Sequence, residues 1–215
     1  MQTKLILGKK VQKISIEIQN LIKVNFSKFF FFFNLFILIL PNSLYGDNHS
    51  EEFLEALETC NGCHGKEVLS EDPSVPLIHG QSFQYIYRQL KDYKLNVRSH
   101  EIMTLIASGL KKKIMMTLAE HFSGEDWSEF RTETNYDEKL ALDIISAGQC
   151  SQCHGTFNSS DLAAPRLAGQ KESYLIQTMT AFKNRTRLNA PDKSSLFETI
   201  SEDEIKAMAG YLANK

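Results

Sequence analysis

The stretch CNGCHG at residues 60–65 recurs almost unchanged as CSQCHG at residues 150–155. A Cys-x-x-Cys-His run is the attachment site of a c-type haem, in which each thiol adds to a haem vinyl group and the histidine ligates the iron. The repeated pattern therefore predicts two covalently bound haem c groups. The predicted attachment residues and proximal ligands are Cys60, Cys63 and His64 in the first motif and Cys150, Cys153 and His154 in the second.

Other uses of paired cysteines fit the two motifs less well. The motifs contain all four cysteines of the chain, so none is left for a disulfide or a thiol nucleophile. A thioredoxin-like pair needs a βαβ setting and no adjacent histidine. A zinc site built from both pairs would leave the histidine after each pair unexplained. Haem attachment is therefore the favoured interpretation.

The N-terminal segment, residues 1–46, is unlike a folded domain. It carries six lysines and one acid, followed by an apolar run from Phe29 to Leu40. A basic region before an apolar run of about a dozen residues is typical of a secretory signal, whereas a membrane span needs roughly 20. The segment predicts a signal peptide, with Gly46 before the cleavage point, and export to the periplasm. An uncleaved membrane anchor stays open as the alternative.

The charge of the remaining chain is acidic. The whole chain has 24 basic and 26 acidic residues, which become 18 and 25 without residues 1–46. A basic surface suited to nucleic acid is therefore not expected. An acidic exported protein is expected to meet protein partners through complementary charge, which raises encounter rates more than affinity.

After residue 47 the chain is an internal duplication. The Pro-x-x-x-Gly-Gln segment at residues 76–81 matches residues 165–170, and Arg98 matches Arg187, at an offset of 89 to 90 residues. A repeat this long indicates two similar domains instead of a solenoid.

The predicted domains are residues 47–122 and 139–215, joined by an acidic linker at residues 123–138. Trp127 and Phe130 in this linker are expected to pack against a domain surface. Domains this small obtain little stability from a protein core alone. We therefore expect the chain without haem to be largely unfolded.

Each copy shows three helical pieces separated by loops. One leads into the haem motif and ends at its first cysteine, one follows the Gly-Gln pair, and one closes the copy. The middle pieces have the i, i+3, i+4 apolar spacing of a one-sided helix, as at Phe83, Ile86 and Leu90. Ser201, followed by three acids, is a good start for the last helix. Since no β-alternation of useful length appears, the sequence predicts an all-α protein.

From about Glu52 to the C-terminus the chain resembles the dihaem cytochrome c4 family of periplasmic electron carriers. The resemblance depends on the two haem motifs, the Pro-x-x-x-Gly-Gln turns, the tyrosine after each turn, the two repeated arginines and the Ala-rich final helices. It implies two tandem cytochrome c domains, each a few helices wrapped around one haem. It also implies that the haems face each other across a pseudo-twofold interface, exchange electrons, and have histidine and methionine as axial ligands.

The resemblance places the sixth ligand of the first iron at Met103, in the loop between the middle and final helices. The corresponding loop of the second copy, residues 188–197, contains no methionine. Met103 lies seven residues before Leu110, and Lys193 lies seven residues before the matching Ile200. Lys193 is therefore the candidate sixth ligand of the second iron, which requires that its amine lose the proton it holds at its ordinary pKa of about 10.4.

Other residues are also candidates for roles at the haem sites. Met179 and Met208, expected as core residues, and an open or water-bound second iron stay as alternatives to Lys193. Four repeated residues are plausible partners of the haem propionates: Tyr85, Arg98, Tyr174 and Arg187. Four histidines are expected to be surface or packing residues: His49, His79, His100 and His121.

Three functions are compatible with these features. The first is a dihaem carrier that shuttles electrons between redox proteins, such as a quinol-oxidising complex, a terminal oxidase or a flavoprotein. The second is the electron-accepting subunit of a sulfide-oxidising flavocytochrome. The third is a dihaem enzyme, a peroxidase or a thiosulfate-oxidising enzyme, acting at the second iron. Contact with a membrane is expected only through partners or an uncleaved N-terminal segment.

Overall fold

The computed structural model describes residues 50–65, 72–127, 134–158 and 163–215. No strand occurs within these ranges, so the all-α prediction is confirmed there. Residues 1–46 and Phe130 lie outside the described residues. The helices are α1 (Glu51–His64), α2 (Phe83–Lys94), α3 (Glu101–Gly109), α4 (Lys112–Ser123), α5 (Glu138–Ala147), α6 (Ser151–His154), α7 (Glu172–Lys183), α8 (Pro191–Phe197) and α9 (Glu202–Ala213).

The helices form two halves, each with its own apolar core. In the first half α2 packs on α3 and α4, and α1 packs on α4. In the second half α7 packs on α8 and α9, and α5 packs on α9. Phe53, Leu118 and Phe122 lie in the first core, whereas Ile205 and Met208 lie in the second. The domain boundaries stay a prediction, with α4 ending at Ser123 and α5 beginning at Glu138.

Each half contains a short helix that the sequence did not predict. Helices α3 and α8 occupy segments that were expected to be loops, so placing Met103 in a loop was wrong. The His100 side chain begins α3 by accepting a hydrogen bond from the Met103 N–H, and Pro191 is the first residue of α8. A helix of two turns shows too little apolar periodicity to be recognised, because most of its stability comes from packing.

The helix that leads into each haem motif differs between the halves. The first was expected to end at Cys60, but α1 continues to His64. In the second half Gly148 ends α5, and Gln149 adopts a left-handed backbone with φ 50° before α6 begins. Gly148 itself keeps a helical backbone with φ −78°, so Gln149 is the left-handed residue at this helix end. The first half has Glu58 at the position of Gly148, and the helix continues there.

Trp127 packs between the Gly-Gln turns of the two halves. A Cβ atom added to Gly80 would lie 2.5 Å from the Trp127 backbone nitrogen, and one added to Gly169 would lie 3.1 Å from its Nε1. The Arg166 guanidinium lies over the indole, 4.7 Å from its centroid. Trp127 therefore contacts both halves, which confirms its predicted packing against a domain surface.

We expect Gly80→Ala to lower the free energy of unfolding by about 2–4 kcal/mol. Gly80 has φ +70°, which L-residues rarely adopt, and the new methyl group would meet the Trp127 backbone. Chemical denaturation of the haem-loaded protein measures the change. Gly109→Ala is the matched control, since nothing lies within 4 Å of its added Cβ. Equal stability of the two variants would contradict this account of the turn.

Two glutamines join the halves in a reciprocal manner. The Gln81 side chain accepts a hydrogen bond from the Arg166 N–H (2.8 Å) and donates one to the Arg166 carbonyl (3.0 Å). Gln170 does the same with the N–H (2.9 Å) and carbonyl (3.0 Å) of Leu77. Because each half gives and receives the same pair of bonds, the interface has approximate two-fold symmetry.

Candidate haem sites

The two motif histidines have the same hydrogen-bond partner in each half. His64 Nδ1 lies 2.9 Å from the Pro76 carbonyl oxygen, and His154 Nδ1 lies 3.0 Å from the Pro165 carbonyl oxygen. A carbonyl can only accept, so each Nδ1 carries the proton and donates it. The lone pair of each imidazole is then on Nε2, the arrangement that a metal-ligating histidine needs.

Burial favours the neutral form of both imidazoles. Desolvation lowers the pKa of His64 and of His154, although the bond to the proline carbonyl acts in the opposite direction. In the second half the nearby positive charge of Lys193 lowers the pKa of His154 further. A neutral imidazole is the form that binds iron, so the sites favour the protonation state that ligation requires.

The cysteines lie on the same face of their helices as the histidines. On α1, Cys60, Cys63 and His64 have the i, i+3, i+4 spacing that brings side chains together. Cys60 packs against the first core and Cys150 against the second, whereas Cys63 and Cys153 are exposed. Burial raises the pKa of Cys60 to about 11, as expected for a sulfur that packs against an apolar core.

Met103 faces the interior of the first half. It is the third residue of α3 and packs against the same core as Cys60 and Leu110. Ala107, one turn further along the same face, is fully buried. The thioether is therefore on the side of α3 that faces the core of the first half, to which Cys60 also belongs.

Lys193 occupies the matching place in the second half. It is the third residue of α8, as Met103 is of α3, and its side chain is half-buried. Its charge acts on both the His154 imidazole and the Cys150 thiol. No carboxylate of the described ranges forms an ion pair with it. Met179 and Met208 are buried in the second core, as expected for packing residues.

The repeated arginines and tyrosines pair across the interface. Arg98 donates to the Tyr174 hydroxyl and Arg187 to the Tyr85 hydroxyl, each at 3.2 Å. The Gln89 side-chain oxygen joins both pairs by accepting from Arg98 (2.9 Å) and Arg187 (3.0 Å).

Two members of this network, Gln89 and Asn189, are not predicted from the sequence. Asn189 donates to Gln89 (2.9 Å) and to Asp92 (2.7 Å). A signal was present at Gln89, since a glutamine three residues after Ile86 lies on the apolar face of α2.

Several buried donors at this interface fit the propionate groups of haem. Trp127 Nε1, Arg166 Nε and Arg187 Nη1 are buried and have no hydrogen-bond partner among the described residues. Buried N–H groups without partners are costly, and guanidinium groups suit carboxylates. Haem carries two propionates per ring, so the described residues fit a pair of haems at the interface.

Three of the four remaining histidines have structural roles, as predicted. His79 Nε2 and His121 Nε2 lie 3.5 Å and 3.2 Å from the Glu125 carboxylate, and both rings pack against Phe122. His100 caps α3. His49 lies outside the described residues.

Each helical half contains a motif cysteine pair and a histidine whose Nε2 carries the lone pair that an iron ligand needs. This arrangement defines the class of dihaem c-type cytochromes. No family model matches the chain. Cytochrome c4 of Thiocapsa roseopersicina is 30% identical over 78% of this chain and 92% of its own length. The thiosulfate dehydrogenase electron acceptor of Stutzerimonas stutzeri (strain A1501) is 29% identical over 74% of this chain and 80% of its own. The solved cytochrome c4 of Acidithiobacillus ferrooxidans is 28% identical, with a TM-score of 0.66, and the match covers 74% of this chain and 99% of that one.

The chain belongs to the dihaem cytochrome c4 family. It is a two-domain electron-transfer cytochrome with two covalently attached haem c groups, and its partners are redox proteins. Within the described ranges, no helix has the length and apolar character that crossing a bilayer requires.

Proposed function

We propose that this cytochrome is an exported, periplasmic carrier whose two irons have different sixth ligands. Cys60, Cys63, Cys150 and Cys153 form the thioethers. His64 and His154 are the proximal ligands, Met103 is the sixth ligand of the first iron and Lys193 that of the second. The observation that carries the proposal is the pair of motif histidines, each donating from Nδ1 to a proline carbonyl.

When bound, each haem supplies a one-electron Fe(III)/Fe(II) couple. The side chains set its potential. The Met103 thioether is a soft, neutral donor that favours reduced iron and raises the potential. The Lys193 amine is a harder donor that favours oxidised iron. With these ligands the first domain would hold the higher-potential haem, and the second domain would be the donor side of the pair.

The support for Lys193 is positional. It has the same place in α8 that Met103 has in α3, and it lies near enough to His154 and Cys150 to lower the pKa of each while it holds the proton that binding iron would remove. A filled sixth position leaves no open site for a substrate. For this reason we favour electron carriage over catalysis at the second iron, and the protein makes and breaks no substrate bond.

The relative from Stutzerimonas stutzeri suggests a second candidate function, because it is named as the electron acceptor of a thiosulfate dehydrogenase. In that role this cytochrome would take electrons from a sulfur-compound dehydrogenase and pass them to a terminal oxidase. A flavoprotein dehydrogenase is the alternative donor. Reduction of the oxidised cytochrome by each purified dehydrogenase with its substrate distinguishes these donors from a quinol-oxidising complex.

Redox titration of the exported protein, followed by visible spectra, tests the carrier proposal. We expect two reversible one-electron steps at separate potentials, with the higher step belonging to the haem that shows methionine ligation by magnetic circular dichroism. Two coincident high potentials would contradict the asymmetric ligands. Irreversible titration, or turnover of peroxide or thiosulfate by the cytochrome alone, would contradict the carrier function.

The intact mass of the mature protein tests export. Two haem groups and loss of residues 1–46 are expected. A mass that retains residues 1–46, together with recovery in the membrane fraction, would support the anchored alternative instead.

A further inference from the structure

Helix α3 presents apolar side chains to solvent. Ile102 and Leu105 are 54% and 74% exposed, and the loop before the helix exposes Leu95 and Val97 by 59% and 47%. We call these four residues the α3 patch. Isolated exposed apolar residues are ordinary, but a group along one short segment is a feature of interaction surfaces.

The geometry of α3 gives the helix two apolar sides. Met103 and Ala107 face the core of the first half. Ile102 and Leu105 are three residues apart and therefore neighbours on the helix surface. Leu105 is two residues after Met103, which places it near the opposite side of the helix. The exposed side therefore has no packing role within the first half.

The second half lacks this patch. In the register that aligns Met103 with Lys193, Asp192 replaces Ile102 and Ser195 replaces Leu105. In the register that aligns the repeated arginines, Asn184 replaces Leu95 and Thr186 replaces Val97. All four apolar positions are thus polar in the other copy, although the two helices share one fold.

Basic residues border the α3 patch. The segment 83–113 contains seven basic and two acidic residues, whereas the matching segment 172–203 contains four and five. Of the seven, Arg98 is directed to Gln89 and Tyr174 at the interface between the halves, and Lys111 is paired with Glu52. The Lys94 ammonium donates to the Ser108 and Leu110 carbonyls (2.7 and 2.8 Å), so its charge lies at the end of α3, one turn from Leu105. Lys112 and Lys113 follow directly and are exposed. This local positive charge opposes the acidic balance of the rest of the chain.

We propose that the α3 patch is the surface on which a redox protein docks, and that the partner carries an apolar patch bordered by carboxylates. This inference rests on the proposed carrier function. An apolar centre with a charged border is the usual composition of a transient interface, and opposite charges speed the encounter. Met103 lies on the same helix, so a partner on this patch is close to the higher-potential site, where electrons leave.

The experiment uses the reduced haem-loaded cytochrome and two oxidised copper proteins. Plant plastocyanin has an apolar patch beside an acidic one, and azurin has an apolar patch without the acidic border. Stopped-flow measurement of electron transfer at several ionic strengths is expected to give a rate constant for plastocyanin about tenfold above that for azurin at low salt. Because salt screens the charges, this advantage is expected to disappear as ionic strength rises.

Matched variants locate the surface. Leu105→Ser is expected to slow the reaction with plastocyanin about fivefold, since a central apolar contact is lost. Exchanging Lys112 and Lys113 together for glutamate is expected to slow it about tenfold and to flatten its salt dependence. Two variants serve as controls: Leu188→Ser, at a residue of the second half that is 63% exposed, and Lys139→Glu on α5. Each is expected to change the rate of electron transfer to plastocyanin by about twofold at most.

Three results would overturn the docking proposal. These are equal rates for wild type and Leu105→Ser, a larger effect of Leu188→Ser, and a rate that rises with salt. Sedimentation showing a wild-type dimer that Leu105→Ser dissociates would also overturn it, by assigning the patch to a second copy. The redox titration of each variant separates these outcomes from failure of the carrier function, because unchanged potentials show that both haem sites are intact.

Discussion

Replacing Cys60 and Cys63 together with alanine is expected to yield an exported protein with one haem and an unfolded first half. The core of that half is small and Cys60 packs against it, so the attached haem supplies much of its apolar interior. A protein core of this size supplies only about 3–5 kcal/mol, which the loss of the haem is expected to exceed. Intact mass measures haem content, and thermal unfolding by far-ultraviolet circular dichroism measures the structure that remains.

Asn61→Ala is the matched control because it changes the variable position between the same two cysteines. It is expected to keep both haems and the wild-type melt. Cys150→Ala with Cys153→Ala should have the corresponding effect on the second half. A cooperative, native-like melt of the first half without its haem would show that the protein core is sufficient and that haem is not structural there.

The second large effect is expected at Lys193. Lys193→Met should give the second iron a thioether ligand and raise its potential by on the order of 0.1 V or more, because axial ligands are a main determinant of haem potential. The spectrum of the oxidised protein should then show methionine ligation at both haems. Spectroelectrochemical titration measures the shift for each haem separately.

Two further variants test this assignment. The reciprocal change Met103→Lys should lower the first potential and bring it close to that of the second haem. Lys206→Met, at a 59% exposed lysine on α9, is the control for removing a positive charge and should leave both potentials nearly unchanged. If Lys193→Met and Lys206→Met behave alike, Lys193 is not a ligand, and an open or water-bound second iron becomes the better explanation.

The two halves share a fold but differ in the features that would control electron flow. Met103 and the α3 patch belong to the first half, and Lys193 with a polar α8 surface belongs to the second. Both differences lie on the same pair of helices, where one face is directed inward and the other outward. Changes there can alter a potential or a docking surface while the Gln81 and Gln170 bonds keep the interface symmetric.

Local patterns in the sequence were sufficient for much of the fold. The two haem motifs require particular residues at fixed short spacings. The middle helices have strong apolar periodicity, and Ser201 forms the capping box expected from its neighbours. The sequence also shows that the second copy lacks the methionine of the first, because aligning the two copies places Lys193 at the position of Met103.

The sequence by itself determined the helical class, the two-fold repetition and the predicted haem attachment, since these depend on residues near one another in the chain. Only the tertiary structure decided that α3 and α8 are helices, that Gln89 joins both arginines, and that Trp127 packs between the two turns. These features depend on contacts between residues distant in sequence. Because packing supplies the stability that short segments lack, no local pattern could reveal α3 and α8.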